Sequence, residues 1–269
     1  MNLLCDMHVH SRSSHDSEAI VCEIAQACIE KGISAFAITD HCDIQYFDPC
    51  IVDSSFKEVE AVKREYGDRI KVLAGIEIGE AIWNMPTATE ILKRYDFDVI
   101  VGSVHAVRYK DYTDPYSTID FSKMSQAELD GYLSKYFEEL LEMVSYVDCD
   151  IMAHLTCPLR YICGKYNIKI DMLKYQEQID KILDLIIEKS VAMEINTSGI
   201  GTVFDNFMPF AWIIERFKQK GGYLVTLGSD AHIPQNVGKG FELAIKLLKE
   251  LGFDGYYYYE KRKSIFCKI

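Results

Sequence analysis

The chain has 269 residues, 49% of them hydrophobic and 26% charged, a composition that suits a soluble globular enzyme with one large core or two small domains. A formal net charge of −12 argues against a nucleic-acid partner, since the one basic block, Lys261-Arg262-Lys263, is short and reads as a solvated tail. No apolar run approaches the roughly 20 residues of a membrane span, and MNLLCDMHVH lacks the pattern of a secretory signal, so a cytoplasmic location without a membrane partner is expected.

In chain order, short apolar or β-branched runs alternate with longer amphipathic ones. The pattern predicts a strand over 2–7 and a helix over 17–31, where Gly32 stands as a C′ residue. Further strands follow at 35–39, 71–78, 99–103, 151–153, 191–195 and 223–228. Helices are predicted between and after them, over 55–66, 87–95, 125–146, 172–189, 208–220 and 236–251. Such alternation implies parallel strands with right-handed crossovers, in a barrel or a doubly wound sheet. Seven repeats with no Pro/Gly/Ser-rich linker suit one barrel-like α/β domain over 1–269. The longest irregular insertion, 106–124, is polar and aromatic, as substrate-contacting loops often are. Tyr256–Tyr259 reads as a last strand or a packing patch.

The histidines fall where an α/β barrel places its chemistry. His8, His10, His41, His105, His154 and His232 stand at predicted strand C-termini, and His15 lies in the SRSSHDS loop after the first strand. His8 and His10 are two apart and share a face of an extended strand; Asp230 and His232 repeat that spacing. Singly, each has a bland alternative: a structural HxH, a core histidine at 154, an exposed His15. Jointly, the bland reading must put every histidine at one rim by chance. With Glu77 and Asp230 they make nine candidate ligands, more than one ion can use, so a cluster of two or three metals is expected, with Glu77 suited to bridge two. Multi-metal sites of this kind activate water and stabilise a leaving oxygen, as phosphoester hydrolysis requires. The nine cysteines include no CxxC pair and read as reduced thiols in the core, Cys5 and Cys42 among them. Asp6 and Asp40 are read as turn formers or as residues that orient the imidazoles.

The series DMHVHS, TDH, GIEIG, GSVHAV, AHL, EINTSG and GSDAH, running from residue 6 to about 240, resembles the PHP (polymerase and histidinol phosphatase) superfamily, and within it the histidinol-phosphate phosphatase type. The resemblance implies a distorted (β/α)7 TIM-like barrel with a trinuclear metal site at the C-terminal ends of its strands. One ion would take His8, His10, Glu77 and Asp230, a second Glu77, His105 and His154, and a third His15, His41 and His232. Zinc is the first candidate, then manganese or iron. The implied enzyme is a phosphoric monoester hydrolase that converts L-histidinol phosphate to L-histidinol and phosphate in histidine biosynthesis. Glu77, Asp230 and Arg160 would be its catalytic residues, with Arg160 in HLTCPLRY gripping phosphate. Asn196 and Ser198 would line the pocket, and Glu80 with the 106–124 loop would meet the amine and imidazole. One departure stands out: relatives often carry an arginine shortly after the NTSG segment, whereas here none precedes Arg216. Alternatives are a PHP-type phosphoesterase for another small monoester, a nucleotide or a diester, and a non-catalytic metal-binding PHP domain. An amidohydrolase would call for a carbamylated lysine at a strand end, and no strand end offers one.

Overall fold

Seven parallel strands curve into a barrel, largely buried on both sides, and each but the last feeds a crossover to its neighbour. A computed structural model describes residues 3–269, so residue 2 of the first predicted strand lies outside the described residues. The strands of the barrel path are β1 (Cys5–Val9), β2 (Ala35–Ile38), β4 (Lys71–Gly79), β5 (Val99–Ser103), β6 (Ile151–Met152), β7 (Ala192–Asn196) and β8 (Val225–Gly228), hydrogen-bonded in that order. A further short strand, β3 (His41–Asp43), pairs in parallel with the end of β4, His41 opposite Glu77. The seam between β8 and β1 closes at the C-terminal rim. There the His10 N–H donates to the Ala231 carbonyl at 2.9 Å and the Asp230 N–H to the His8 carbonyl at 2.8 Å.

The crossovers carry helices α1 (Val21–Glu30), α2 (Pro49–Tyr66), α3 (Met85–Leu92), α4 (Gln126–Tyr146), α5 (Gln176–Lys189) and α6 (Ala211–Gln219), with α7 (Phe241–Glu250) after β8. Helix α4 shows why these segments are helical. Leu129, Tyr132, Leu133, Tyr136, Phe137, Leu140, Met143 and Val144 recur every three or four residues and are all buried. Its first turn is closed by a capping box in which Ser125 and Glu128 satisfy each other's backbone N–H groups. On the other side of the barrel, Val21, Ile24, Ala25 and Cys28 of α1 and Val59 and Val62 of α2 pack on Phe36, Ile38, Val72 and Ala74 of the strands.

The described elements depart from the sequence reading at their ends, for local reasons. Helix α1 starts at Val21 rather than near 17, because Ser17 turns its hydroxyl to the His232 carbonyl at 2.9 Å and ties the loop to the rim. Helix α2 starts earlier than expected, at Pro49, with Asp48 capping the Cys50 N–H. Helix α7 waits until Phe241, since Gly238 and Gly240 hold φ of +66° and +81°. Lys261-Arg262-Lys263 is not a solvated tail: it is the turn and onset of an antiparallel hairpin, β9 (Gly255–Glu260) and β10 (Lys263–Lys268). That hairpin covers the N-terminal end of the barrel. The Tyr256 hydroxyl accepts from Cys5 N–H at 3.1 Å and donates to the Leu3 carbonyl at 2.8 Å, and the Arg262 N–H donates to the Asp98 carbonyl at 2.9 Å. With that end closed, the opposite rim is the open one. Among the described residues no helix is long and apolar enough to cross a membrane.

Candidate metal centre

His8 and Glu77 lie within β1 and β4, His10, His105, His154 and Asp230 stand one or two residues beyond the ends of β1, β5, β6 and β8, and His41 opens β3. Glu77, on β4, is the hub. It is wholly buried, with Oε1 3.0 Å from His154 Nε2 and 3.1 Å from His105 Nε2. Its Oε2 lies 2.8 Å from His41 Nδ1, 3.4 Å from His8 Nε2 and 3.7 Å from His10 Nε2. Asp230 faces it across the seam, Oδ1 3.3 Å from His10 Nε2 and 3.6 Å from His232 Nδ1.

The rings are aimed from behind. His8 Nδ1 lies 2.7 Å from Glu194 Oε1, His105 Nδ1 2.9 Å from Asp43 Oδ1, and His10 Nδ1 3.0 Å from the Ser14 hydroxyl. With one ring nitrogen so engaged, the other is turned inward, as in carboxylate–histidine–metal arrangements. Ser14 is itself held by Asp40, which also accepts from the Ser11 N–H at 2.6 Å and hydroxyl at 2.7 Å. Asp6 does the same for the β8 loop, accepting from the Ser229 and Gly238 N–H groups, each at 2.9 Å. Both aspartates therefore brace ligand loops. The backbone is left-handed at Glu80 (φ 48°), His154 (φ 21°) and Asp230 (φ 51°), a conformation that non-glycine residues hold where the surroundings enforce it.

These residues fit a metal. The inward His8 and His10 Nε2 atoms are buried without a hydrogen-bond partner among the described residues, and the close approaches of His41 Nδ1 to Glu77 Oε2 and of His232 Nε2 to Asp16 lack hydrogen-bond geometry, a costly state for polar atoms that a cation relieves. Among the described residues five groups could each hold an ion: His8, His10 and Asp230; His8, Glu77 and His154; His41, Glu77 and His105; His10, His41 and His232; and, behind His105, Asp43, Glu80 and His105. Burial opposes charge on Glu77 and Asp230, yet the surrounding imidazoles outweigh it and hold both carboxyls well below the usual carboxylate range. Burial, together with the neighbouring His41 and His232, holds His10 well below its ordinary value, in the neutral form that binds metal. Burial pushes the nearby Cys157 and Cys42 thiols up to about 11 and about 12, and none of the nine cysteines, all free of disulfides, belongs to these groups.

Eight of the nine expected ligands thus meet within these groups. His15 is exposed at the mouth, its ring 5.4 Å from that of His41, outside the tight groups. The centre opens into a cavity of about 710 Å³, of the size small-molecule sites have. Arg160, in a short π-helical turn, reaches its wall and donates from Nη1 to the Ser198 hydroxyl at 3.1 Å. Ser198 lies 3.2 Å from Asp230 Oδ2, so the guanidinium is one hydroxyl away from a candidate metal ligand. Asn196 is wholly buried and bonds Glu194 and Asp230 rather than facing the cavity. Glu80 is also buried, its carboxylate on the His105 and Ala106 N–H groups, and it is absent from the cavity wall. It braces His105 and does not meet a ligand in the cavity. Of the 106–124 loop, Asp114–Thr118 do reach the wall.

Sequence reasoning passed over Glu194, Asp43 and Asp16. Asp16 lies 3.1 Å from His232 Nε2 and 3.7 Å from His41 Nε2. Asp16 and Asp43 stand one and two residues after the candidate ligands His15 and His41, whereas Glu194 is flagged only by its place in the EINTSG segment.

Residues 6–198 match the family model described as the PHP domain. The chain belongs to the PHP domain family. Two full-length relatives of this PHP protein carry the name "Probable histidinol-phosphatase". The one from Clostridium acetobutylicum is 28% identical over 97% of this chain and 98% of its own length. The one from Thermotoga maritima is 28% identical over 99% and 100%. Among solved structures, the Lactococcus lactis histidinol phosphate phosphatase, complexed with zinc, L-histidinol and phosphate, superimposes with a TM-score of 0.81 at 24% identity, over 97% of this chain and 98% of that one. That likeness shows the (β/α)7 PHP barrel.

Proposed function

We propose that this PHP protein is a metal-dependent phosphoric monoester hydrolase, a histidinol-phosphatase that converts L-histidinol phosphate to L-histidinol and phosphate in histidine biosynthesis. The observation that carries the chemistry is one buried carboxylate, Glu77, within 4 Å of five imidazoles, beside a cavity whose wall holds Arg160. The full-length likeness to proteins named histidinol-phosphatase supports the substrate.

The centre takes divalent metal. The finer reading, which the family resemblance implies, is three ions, zinc first: His8, His10, Glu77 and Asp230 for one, Glu77, His105 and His154 for another, and His41 and His232 with His15 for the third. When bound, such ions supply Lewis acidity toward phosphoryl oxygens and lower the pKa of water. The chain's own part is placement and charge. Arg160 presents a planar donor fork to the phosphate oxygens, while Ser198 sets its angle from the Asp230 side. Asp48 and Asp114 give the cavity wall a negative charge that suits a cationic alcohol as leaving group. The expected setting is the cytoplasm, with a small phosphorylated metabolite as partner and no nucleic acid.

The test is phosphate release by zinc-loaded protein from L-histidinol phosphate, from generic monoesters and from a diester. Preferred turnover of L-histidinol phosphate, lost on chelation, is the expected result. A metal-loaded protein that ignores it and cleaves another ester would keep the phosphoesterase centre and remove the substrate.

A further inference from the structure

We propose that Lys239 is a second phosphate-gripping cation of this cavity and sets its preference for dianionic monoesters. The inference deepens the phosphatase reading above and rests on it. Apart from histidines, the cationic side chains on the cavity wall are Arg160 and Lys239. Arg160 already donates to Ser198. Lys239 is half-buried, and among the described residues its ammonium has neither an acceptor at hydrogen-bond distance nor a carboxylate at ion-pair distance; only its backbone is bonded. A partly desolvated ammonium without a partner, facing a cavity, is a charge placed for an anion.

Its position is set by the fold. Lys239 lies between β8 and α7, in the loop that Asp6 holds through the Gly238 N–H. Its N–H donates to the Asn236 carbonyl at 3.0 Å, and its carbonyl accepts from the Thr197 hydroxyl at 2.5 Å. Thr197 precedes Ser198, so the lysine is moored to the same turn that carries the serine bonded to Arg160. At Gly201, in that turn, φ is +70°, and a Cβ built there would meet only Lys239 Cε at 3.8 Å and Nζ at 3.9 Å. The ammonium therefore occupies the space over Gly201 that a side chain from this turn would otherwise fill. No arginine stands between Ser198 and Arg216, so the positive charge beside this turn comes from a lysine of the next loop.

Charge gives the consequence. A phosphate monoester carries about −1.5 to −2 near pH 7, and a diester carries a single negative charge. One guanidinium matches a monoanion; a second cation favours the dianion. Lysine suits this second role, since its three donors swing on a flexible stem while Arg160 supplies the rigid fork.

The test uses the zinc-loaded full chain as wild type, K239M and K239R, with L-histidinol phosphate as substrate and inorganic phosphate as inhibitor. K239M keeps most of the stem and loses the charge. The expected result is a rise of about tenfold or more in both KM and the phosphate inhibition constant, the loss of one charge-assisted contact, with kcat within about threefold and an unchanged Tm. The ratio of monoester to diester kcat/KM should fall by a similar factor, and K239R should recover most of it. Unchanged KM and phosphate inhibition would overturn the proposal, as would a fall in kcat and Tm with phosphate inhibition intact, the mark of a structural role. If wild type leaves L-histidinol phosphate untouched, the substrate reading fails by itself. Lys239 is then judged by calorimetric binding of inorganic phosphate, where a loss in K239M supports its role and equal affinity refutes it.

Discussion

Glu194 touches no part of the cavity, yet two of the centre's histidines depend on it. Its Oε1 holds His8 Nδ1 at 2.7 Å, and its Oε2 accepts from the His154 N–H at 2.7 Å. The room for it is made by Gly228, where a Cβ would stand 2.0 Å from Glu194 Oε1 and 2.8 Å from the His8 Cβ. Because that carboxylate both orients His8 and raises its basicity, Glu194→Gln should weaken zinc binding about 10- to 100-fold, read by competition with a chelating indicator. Unchanged zinc affinity would reduce Glu194 to a packing residue. Glu80 shows the same principle from the other side. Read as a substrate contact, it is a buried brace on the His105 N–H, and burial pushes its carboxyl up to about 8. The nine metal candidates were legible because each sits at a strand end or in the loop after one. Glu194, Asp43 and Asp16 were not, because their partners are far away in the chain and only folding brings them together.

Among the elements, the β9–β10 hairpin decides which end of the barrel is open. Arg262 anchors it: the guanidinium pairs with Asp150 through Nε and donates from Nη2 to the Asp148 carbonyl at 3.0 Å. Burial raises the Asp150 carboxyl above its usual value, and Arg262 opposes that shift. Arg262→Ala should therefore cost about 1–3 kcal/mol in denaturant unfolding at neutral pH, since it leaves a nearly buried carboxylate without its cation. The sign with pH follows from proton linkage. A carboxyl raised in the folded state binds protons more tightly there than in the unfolded chain, so the deficit should narrow as pH falls through the carboxylate range. A deficit that is constant or grows toward acid would show that the loss is packing rather than charge. The hairpin was half legible: the aromatic run Tyr256–Tyr259 suits a strand, but in its partner, Lys263–Lys268, the apolar run Ile265-Phe266-Cys267 is only three residues long. The short β3 was likewise hidden inside TDHCD, since three residues carry no periodicity.

For the molecule as a whole, the centre ties stability to metal. Without ions, buried imidazoles and two carboxylates face one another with polar atoms unmatched. Ions that bind the folded chain alone should raise Tm by roughly 5–10 °C at saturating concentration, and chelator should remove that increment in a scanning fluorimetry experiment. The same ions should be lost on acidification from about pH 7.5 to about pH 5.5, because imidazoles bind metal only when neutral. A Tm indifferent to chelator would argue that the centre is empty in use. The chain by itself determined the class of fold and the donor set. Strand–helix alternation is a local pattern, and ligands at strand ends need no knowledge of which strand neighbours which. Only the tertiary structure decided what those donors are aimed at. Glu77 became the hub through the pairing of β4 with β3 and β5, Asp230 reached His10 through closure of the barrel, and Lys239 came over Gly201 through a bond to Thr197. Each is a contact between segments that adjoin only once the sheet has curved round on itself, and no periodicity in a linear chain encodes that distance.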